Sequence, residues 1–329
     1  MASNTPVSVL KAIEDYLESV SLSRSENTAR TYTNGMQAFI NSFVKTGQDP
    51  EETPAESISE SVIADFAADL KAYSPNTEQL YLTAVTGFYE YLAAEKISDV
   101  NLPRMRMLIK RRARRTAQRL PQFPKDDIRK VLTYAQSLTM APVEDKRHRL
   151  ANLRDRAFIL TLADTGLRVH EACNLRRGDI DWQEGKAIIV GKGNQEAVVR
   201  FSTRALTSLR DYINTRAERD GAYGRSLSSL PLFARHDLGA GKRVEPISTT
   251  TGRNIIRSRV VEALGDEAAG TITPHSFRHF FVTEVLHGSG GNIKLAQKLA
   301  RHKNIQVTQR YAHLSDEELD KGYYEIFEN

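Results

Sequence analysis

The chain has 329 residues, of which 40% are hydrophobic and 26% are charged, and its formal net charge is +5. This composition excludes a disordered chain and leaves room for two ordinary domains, each with its own core. The basic balance is compatible with a polyanionic partner without identifying one.

The single cysteine, Cys173, cannot form an internal disulfide, which indicates a reducing compartment and predicts a cytoplasmic protein. No run of apolar residues approaches ~18 in length, so the sequence predicts no membrane span. The first twenty residues lack a basic segment followed by an apolar run, so we expect no signal peptide.

Residues 1–100 are predicted to form a helical domain. In NTPVSVLKAIEDYLESV the apolar residues recur at helical spacing, with Pro6 in the first turn. The same period predicts a second helix through Phe39, a third from Val62 to Leu70, and a fourth through Phe88. Four amphipathic helices with short polar joints make a compact bundle.

Residues 101–123 are dense in arginine and contain no acidic residue. The first acidic residue after them is Asp126. We predict an interdomain linker here. It is either a solvated, charged connector or a strap along a DNA backbone, where each neutralised phosphate releases counterions. The second interpretation makes DNA-contact candidates of Arg104, Arg106, Lys110, Arg111, Arg112, Arg114, Arg115 and Arg119.

Residues 124–329 are predicted to form a second, mixed domain. Helical patterns begin at KDDIRKVL and at LRDRAFIL, and the latter ends at Gly166. The stretch KAIIVGKGNQEAVVRF predicts a β-hairpin. Helices are expected to resume after residue 247, and the tail DEELDKGYYEIF is predicted to form a short amphipathic helix. The predicted fold class is mainly α with a small β-hairpin or sheet (α+β).

The histidines of the stretch TPHSFRHFF raise the question of a metal. His275 and His279 are four positions apart and could share one helix face. Zinc hydrolases place a glutamate directly after the first histidine, where this chain has Ser276. No nearby carboxylate or cysteine completes a site, so we predict no metal.

Phosphate chemistry is the stronger alternative. A metal-free site for phosphodiester displacement needs guanidiniums for the non-bridging oxygens, a proton donor for the leaving oxygen, and a nucleophile such as tyrosine. Each candidate also has a structural reading, as an ion pair, a turn residue or a packing residue, and only their order and spacing favour a shared site. The candidates in chain order are Arg168, Lys192, His275, Arg278, His302 and Tyr311.

This order resembles the tyrosine recombinase (phage integrase) family. The matching elements are TGLRVHE, GKG and HSFRH, followed by His302 and Tyr311. The N-terminal part is similar to the family's SAM-like core-binding domain, of which TARTYTNGMQAFINSF is typical. The resemblance covers nearly the whole chain, and five separated elements agree in its catalytic half.

The resemblance implies a role for each residue. Tyr311 would attack a scissile DNA phosphate and form a 3′-phosphotyrosyl bond, and strand exchange would pass through a Holliday junction. Arg168 and Arg278 would bind the non-bridging oxygens, and Lys192 would protonate the leaving 5′ oxygen.

The histidines and one carboxylate would support this set. By the same resemblance, His275 would assist proton transfer at the nucleophile, and His302 would hydrogen-bond the phosphate. Glu171 and His279 would orient the arginines and the histidine.

The resemblance also implies partners. Double-stranded DNA would lie in a C-shaped clamp, four protomers would form the synaptic complex, and neither ATP nor a metal or other cofactor would be needed. The tail would dock into a neighbouring catalytic domain, or alternatively onto its own. Accessory directionality proteins are further candidate partners. Two other functions stay open: a type IB topoisomerase, and a DNA-binding relative without activity.

Some positions depart from the family pattern. Arg301 stands where the family usually has glycine, and Phe277 replaces the usual leucine. Gln195 and Ala197 stand where the hairpin is often basic. These departures leave every catalytic group in place and favour a divergent enzyme of a phage or mobile element.

Overall fold

The computed structural model describes residues 6–114, 124–140, 143–190, 196–309 and 311. The chain divides into two compact units, Met1–Gln118 and Arg119–Asn329. In the described ranges, no helix is long and apolar enough to cross a membrane. The predicted fold class is confirmed, since helices predominate and are accompanied by one small sheet.

The first unit is helical. Its elements are α1 (Val9–Ser23), α2 (Glu26–Lys45), α3 (Ser61–Asp69), α4 (Pro75–Ala94) and α5 (Leu102–Arg112). The four helices predicted in this part of the sequence are confirmed as α1 to α4, but α1 begins at Val9 with Ser8 as its N-cap, so Pro6 precedes the helix and does not lie in its first turn.

Aromatic side chains fill the core of the first unit. Phe39 and Phe66 are fully buried and meet edge to face, with ring centroids 5.3 Å apart. The hydroxyl of Tyr16 donates to the carbonyl of Ala84 at 3.0 Å, so its polar end is satisfied inside the core.

Helix α5 differs from the expectation, because residues 102–112 fall within the predicted linker. Asn101 caps its first turn by accepting from the amide of Arg104 at 2.9 Å. Met105 is fully buried against the core of the first unit, and Leu108 and Ile109 pack beside it. Their helical spacing is obscured in the sequence by the surrounding arginines.

The second unit carries the rest of the fold. Its elements begin with α6 (Lys125–Ser137), α7 (Lys146–Thr165), α8 (Val169–Asn174), β1 (Ile180–Asp181), β2 (Lys186–Val190) and β3 (Glu196–Arg200). They continue with α9 (Thr203–Thr215), α10 (Ala217–Gly221), α11 (Thr249–Leu264), α12 (Pro274–Gly288), α13 (Ile293–Ala300) and α14 (Ile305–Gln309).

The strands form an antiparallel sheet in the order β1-β2-β3. Lys186 pairs with Arg200 and Val190 with Glu196, which confirms the strands of the predicted hairpin. Residues 191–195, which connect β2 to β3 and include Lys192, lie outside the described residues.

Helix α7 is the centre of the second unit. It is buried along most of its length, and Phe158 meets Phe233 edge to face with ring centroids 5.1 Å apart. Helices α6, α9 and α12 pack against it. Since α7 ends at Gly166, the residues just beyond it are held by the core of this unit.

The second unit also contains a fully buried ion pair. Arg216 and Asp220 are both 0% exposed, and Nε of Arg216 lies 2.8 Å from Oδ1 of Asp220. The same guanidinium donates to the hydroxyl of Tyr212 at 2.9 Å and to the carbonyl of Pro231 at 2.8 Å. Arg177 adds a second cation, 2.7 Å from the other oxygen of Asp220.

Candidate active site

Four chain segments of the second unit supply the predicted catalytic residues that the structure describes. Gly166 ends α7 with φ 60°, a left-handed conformation that glycine adopts without strain. The turn places Arg168 at the N-cap of α8. The other segments are the first turns of α12, the end of α13, and the residues around α14.

Glu171 holds Arg168 from two sides. Its carboxylate accepts from the amide of Arg168 at 2.8 Å and from that residue's guanidinium at 2.8 Å. The side chain of Glu171 is 3% exposed, whereas that of Arg168 is 45% exposed. Burial opposes ionisation of Glu171, but the hydrogen bonds from Arg168 and the charge of Arg301 outweigh it and lower its pKa. The pair leaves part of the guanidinium of Arg168 open to a ligand.

Arg278 is buried and held by backbone carbonyls. It donates to the carbonyl of Gly166 at 2.5 Å and to that of Ala300. These two bonds connect the end of α7, the start of α12 and the end of α13. Burial and the nearby charges of Arg168 and Arg301 lower the pKa of Arg278 to about 10, so the group stays cationic at neutral pH.

Arg301 is a third guanidinium in this site, and the sequence alone predicted no role for it. It caps α13 in the left-handed conformation with φ 57°. Its guanidinium lies 3.2 Å from Oε2 of Glu171 and donates to the carbonyl of Gly166 at 3.3 Å. The only signal in the sequence was the departure from glycine at this position.

His302 and Tyr311 are connected through Thr308, a residue that the sequence did not single out. Nδ1 of His302 lies 2.9 Å from Oγ1 of Thr308, and the carbonyl of Thr308 accepts from the amide of Tyr311 at 3.0 Å. Burial and the neighbouring cations, first Arg278, lower the pKa of His302 to about 4. The ring is therefore neutral at physiological pH.

The hydroxyl of Tyr311 forms a hydrogen bond with Nδ1 of His279. The two rings have centroids 5.2 Å apart, and the ring of His275 meets that of His279 edge to face at 4.2 Å. Burial lowers the pKa of His279 to about 4, with His275 and Arg278 adding to the effect. Burial, followed by the charges of Arg278 and Arg168, also lowers the pKa of His275. His279 thus contacts the phenol itself, whereas the family resemblance implied that it supports other residues.

The structure therefore joins most of the predicted catalytic set. Contacts run from Arg168 through Glu171 and Arg301 to Arg278, while Tyr311 is reached by His279 and, through Thr308, by His302. Lys192 lies outside the described residues. In the part of the chain that the structure describes, no group of three or more acidic, histidine or cysteine side chains could hold a metal ion.

The predicted DNA-contact residues fall into three groups. Three of them form ion pairs within the first unit: Arg104 with Glu60, Arg106 with Glu90, and Arg114 with Glu78. Three are exposed at the end of α5: Lys110, Arg111 and Arg112. Arg115 and Arg119 lie outside the described residues.

A site that combines buried guanidiniums, neutral imidazoles and a phenol is suited to covalent phosphoryl transfer. Comparison with family models identifies the class. The model of the phage integrase family matches residues 122–318, and that of the phage integrase N-terminal SAM-like domain matches residues 13–96. The chain therefore belongs to the phage integrase family, the tyrosine-type site-specific recombinases.

Several curated relatives match most of the chain. A tyrosine recombinase XerC of Treponema denticola is 30% identical over 263 residues, 78% of this chain and 80% of the relative. A XerC of Thermodesulfovibrio yellowstonii is 29% identical, with 94% of each chain covered. A XerD of Chlorobaculum tepidum is 28% identical, with 92% of each covered.

Solved structures share the fold. XerH site-specific recombinase bound to difH substrate has a TM-score of 0.69 at 16% identity and covers 100% of this chain and 99% of its own. The Tn1549 transposon integrase in complex with a circular intermediate DNA has a TM-score of 0.65 at 17% identity, covering 97% and 99%. Assignment of this chain to a phage or mobile-element branch stays a prediction.

Proposed function

We propose that Tyr311 is the nucleophile of a DNA breaking and rejoining reaction. Its hydroxyl would attack a phosphate of double-stranded DNA and form a 3′-phosphotyrosyl bond, which keeps the energy of the broken phosphodiester. The observation that supports this most directly is the hydrogen bond of the phenol with His279, together with the charge interactions of Arg278 with Tyr311 and with His302.

The arginines would stabilise the charge that develops on phosphorus oxygens. Arg278 is pre-oriented by two carbonyls and Arg168 by Glu171, so neither needs to reorganise during the reaction. His302, whose Nδ1 is engaged by Thr308, would donate from its other nitrogen to a non-bridging oxygen. Lys192 would protonate the leaving 5′ oxygen.

The two units would have different functions in the reaction. We assign DNA binding to the first unit, with exposed basic residues at the end of α5 following the backbone, and cleavage to the second. Exchange between two sites would require four protomers, and residues 316–329 would dock into a neighbouring copy; they lie outside the described residues. How the units grip the duplex also stays a prediction. A cytoplasmic location is supported by the unpaired Cys173.

The test is a nicked suicide substrate that traps the covalent intermediate. Tyr311→Phe should bind the duplex with the affinity of the unmodified protein and form no adduct on a denaturing gel. Tyr323→Phe, which changes a second tyrosine of the C-terminal region, is the matched control and should form it normally. An adduct with the Tyr311→Phe protein would show that another residue is the nucleophile.

The acid role of Lys192 has its own test. Lys192→Ala should cleave slowly because the departing 5′ oxygen then leaves as an alkoxide. A substrate with a 5′-bridging sulfur needs no such proton and should restore the rate. A variant that stays equally slow on the sulfur substrate would exclude this role.

A further inference from the structure

We propose that His279 is a catalytic residue that takes up the proton of the Tyr311 hydroxyl during strand cleavage. The inference rests on the proposed function of Tyr311. It differs from the expectation, drawn from family resemblance, that His275 assists the nucleophile and His279 only orients other groups.

The geometry of the phenol is the primary support. The hydroxyl of Tyr311 forms its hydrogen bond with Nδ1 of His279, and the two rings lie with centroids 5.2 Å apart at an interplanar angle of 37°. An acceptor that already forms a hydrogen bond with the hydroxyl is within reach of its proton, which is the geometric requirement for a general base.

The backbone of α12 fixes this acceptor in place. His279 directly follows Arg278, whose guanidinium is held by the carbonyls of Gly166 and Ala300. One turn earlier, the ring of His275 packs edge to face against His279 at a centroid distance of 4.2 Å. Arg278, the adjacent residue, and His275, one turn earlier in the same helix, thus restrict the position of the imidazole.

The protonation state agrees with an acceptor. Burial, His275 and Arg278 lower the pKa of His279 to about 4, so the ring is neutral at physiological pH. A neutral ring that accepts at Nδ1 carries its own proton on Nε2. When a phosphate anion binds between the arginines, its negative charge favours the imidazolium that the transfer creates.

The proposed step moves two protons and exchanges one bond. The proton of Tyr311 moves to Nδ1 of His279, the phenolic oxygen bonds to phosphorus, and the bond from phosphorus to the 5′ oxygen breaks with protonation of that oxygen by Lys192. The products are the phosphotyrosine, a 5′-hydroxyl, an imidazolium and a neutral amine. Ligation reverses each transfer, and His279 returns its proton to the departing phenolate.

The experiment uses His279→Asn in the full chain. The amide oxygen of asparagine lies close to the position of Nδ1 and can accept the hydrogen bond, but it cannot take the proton. We expect single-turnover adduct formation to fall by about 10²-fold, the lower end of a lost general base, with unchanged DNA affinity. His279→Gln is a second variant in case the first folds poorly.

Two modified reactants separate the roles. A fluorinated tyrosine at position 311, whose hydroxyl has a much lower pKa, needs less help from a base and should recover most of the loss in His279→Asn. A 5′-bridging sulfur substrate acts on the leaving group and should recover little. His275→Asn is the control, and we expect its loss to respond less to the fluorinated tyrosine.

Three results would overturn the proposal. The first is normal cleavage by His279→Asn, and the second is a loss that the fluorinated tyrosine leaves unchanged, which would make His279 a positioning residue. The third is recovery with the sulfur substrate alone, which would place His279 on the leaving-group side. Failure of the proposed function is distinguishable, because Tyr311→Phe would then still form the adduct.

Discussion

Thr308 lies with Oγ1 2.9 Å from Nδ1 of His302, and its side chain is completely buried. The carbonyl of the same threonine accepts from the amide of Tyr311 at 3.0 Å. One residue of α14 therefore sets both the orientation of an imidazole and the start of the turn that carries the proposed nucleophile.

Replacement of Thr308 by valine should slow strand cleavage. Valine keeps the shape of threonine but removes the hydroxyl, so the ring of His302 loses the partner that fixes its orientation. We expect about a 10-fold fall in adduct formation, which corresponds to about 1.4 kcal/mol. Thr308→Ser keeps the hydroxyl and serves as the control. Equal rates for the two variants would argue against an orienting role.

Arg301→Gly should change the pH dependence of cleavage. Glycine adopts the left-handed conformation at this position without strain, so the backbone tolerates the change. Loss of the Arg301 guanidinium leaves Glu171 paired with Arg168 alone, so the pKa of this buried carboxylate rises. The carboxylate then protonates at a higher pH as the solution is acidified, so the acid limb of the rate profile moves toward neutral pH.

The measurement is the single-turnover rate between about pH 3 and pH 8, a range that extends well below the usual carboxylate pKa of about 4.3 because the pKa of Glu171 is lowered. Arg301→Lys keeps a positive charge near Glu171 and is the control, with a smaller displacement of the acid limb. Superimposable profiles for all three proteins would mean that Arg301 does not influence this carboxylate.

The sequence contained the catalytic residue types and their order, because each is demanded by the chemistry of a phosphodiester. The contacts between these residues could not be predicted from the sequence. Arg301 meets Glu171 across 130 positions of chain, and nothing in the sequence around Thr308 distinguishes it from an ordinary polar helix residue. Such pairs form only when α8, α12, α13 and α14 have packed together.

In the fold, too, locally encoded elements could be predicted, whereas elements that depend on tertiary packing could not. Helical spacing of apolar residues predicted helices α1 to α4, Gly166 predicted the end of α7, and two strand-like runs around a turn predicted the hairpin strands, since all these signals are local. Helix α5 was missed because arginines dominate its composition, while burial depends on the three apolar residues Met105, Leu108 and Ile109. Burial against α3 is a tertiary effect that composition does not report.

The basic residues at the end of α5 and just beyond it should separate into DNA contacts and structural residues. Arg111→Ala removes an exposed cation, and we expect the slope of log affinity against log salt to fall by about 1 for one lost phosphate contact. Arg114 donates to the buried carboxylate of Glu78 and to the carbonyl of Tyr73, so Arg114→Ala should instead destabilise the first unit by about 1–3 kcal/mol.

Salt titrations of duplex binding and hydrogen exchange of the full chain distinguish the two effects. Arg111→Ala should leave the exchange of α4 amides unchanged, whereas Arg114→Ala should accelerate it. An unchanged salt slope for Arg111→Ala would remove this residue from the proposed DNA contacts.

Glu78 makes the stability of the first unit depend on pH. Burial opposes its ionisation, but hydrogen bonds from Lys71 and Arg114 outweigh burial and lower the pKa from 4.5 to about 2. Because the folded pKa is below the unfolded one, this contribution is present above pH 4.5 and is lost as the pH falls toward 2. Glu78→Gln should flatten this dependence, as measured by exchange of α4 amides; the same acid sensitivity in the variant would assign it to other carboxylates.

Arg216 should be the most costly single arginine to remove from the second unit. Its guanidinium is fully buried, with Asp220, the hydroxyl of Tyr212 and two backbone carbonyls as partners. Arg216→Met keeps much of the volume but leaves the buried carboxylate with Arg177 alone. Loss of one partner of a buried pair costs about 3–5 kcal/mol, whereas replacement of both partners by apolar residues is often neutral.

The double variant Arg216→Met/Asp220→Leu should therefore recover much of the stability lost in the single variant. Trp182, the one tryptophan of the chain, packs against the core of this unit and reports its unfolding in denaturant. Arg257→Met changes an exposed arginine of α11 and should leave the midpoint unchanged. A double variant that is less stable than Arg216→Met would mean that Asp220 stabilises this unit mainly through Arg177. The carboxylate would then contribute to the free energy of unfolding even when Arg216 is absent.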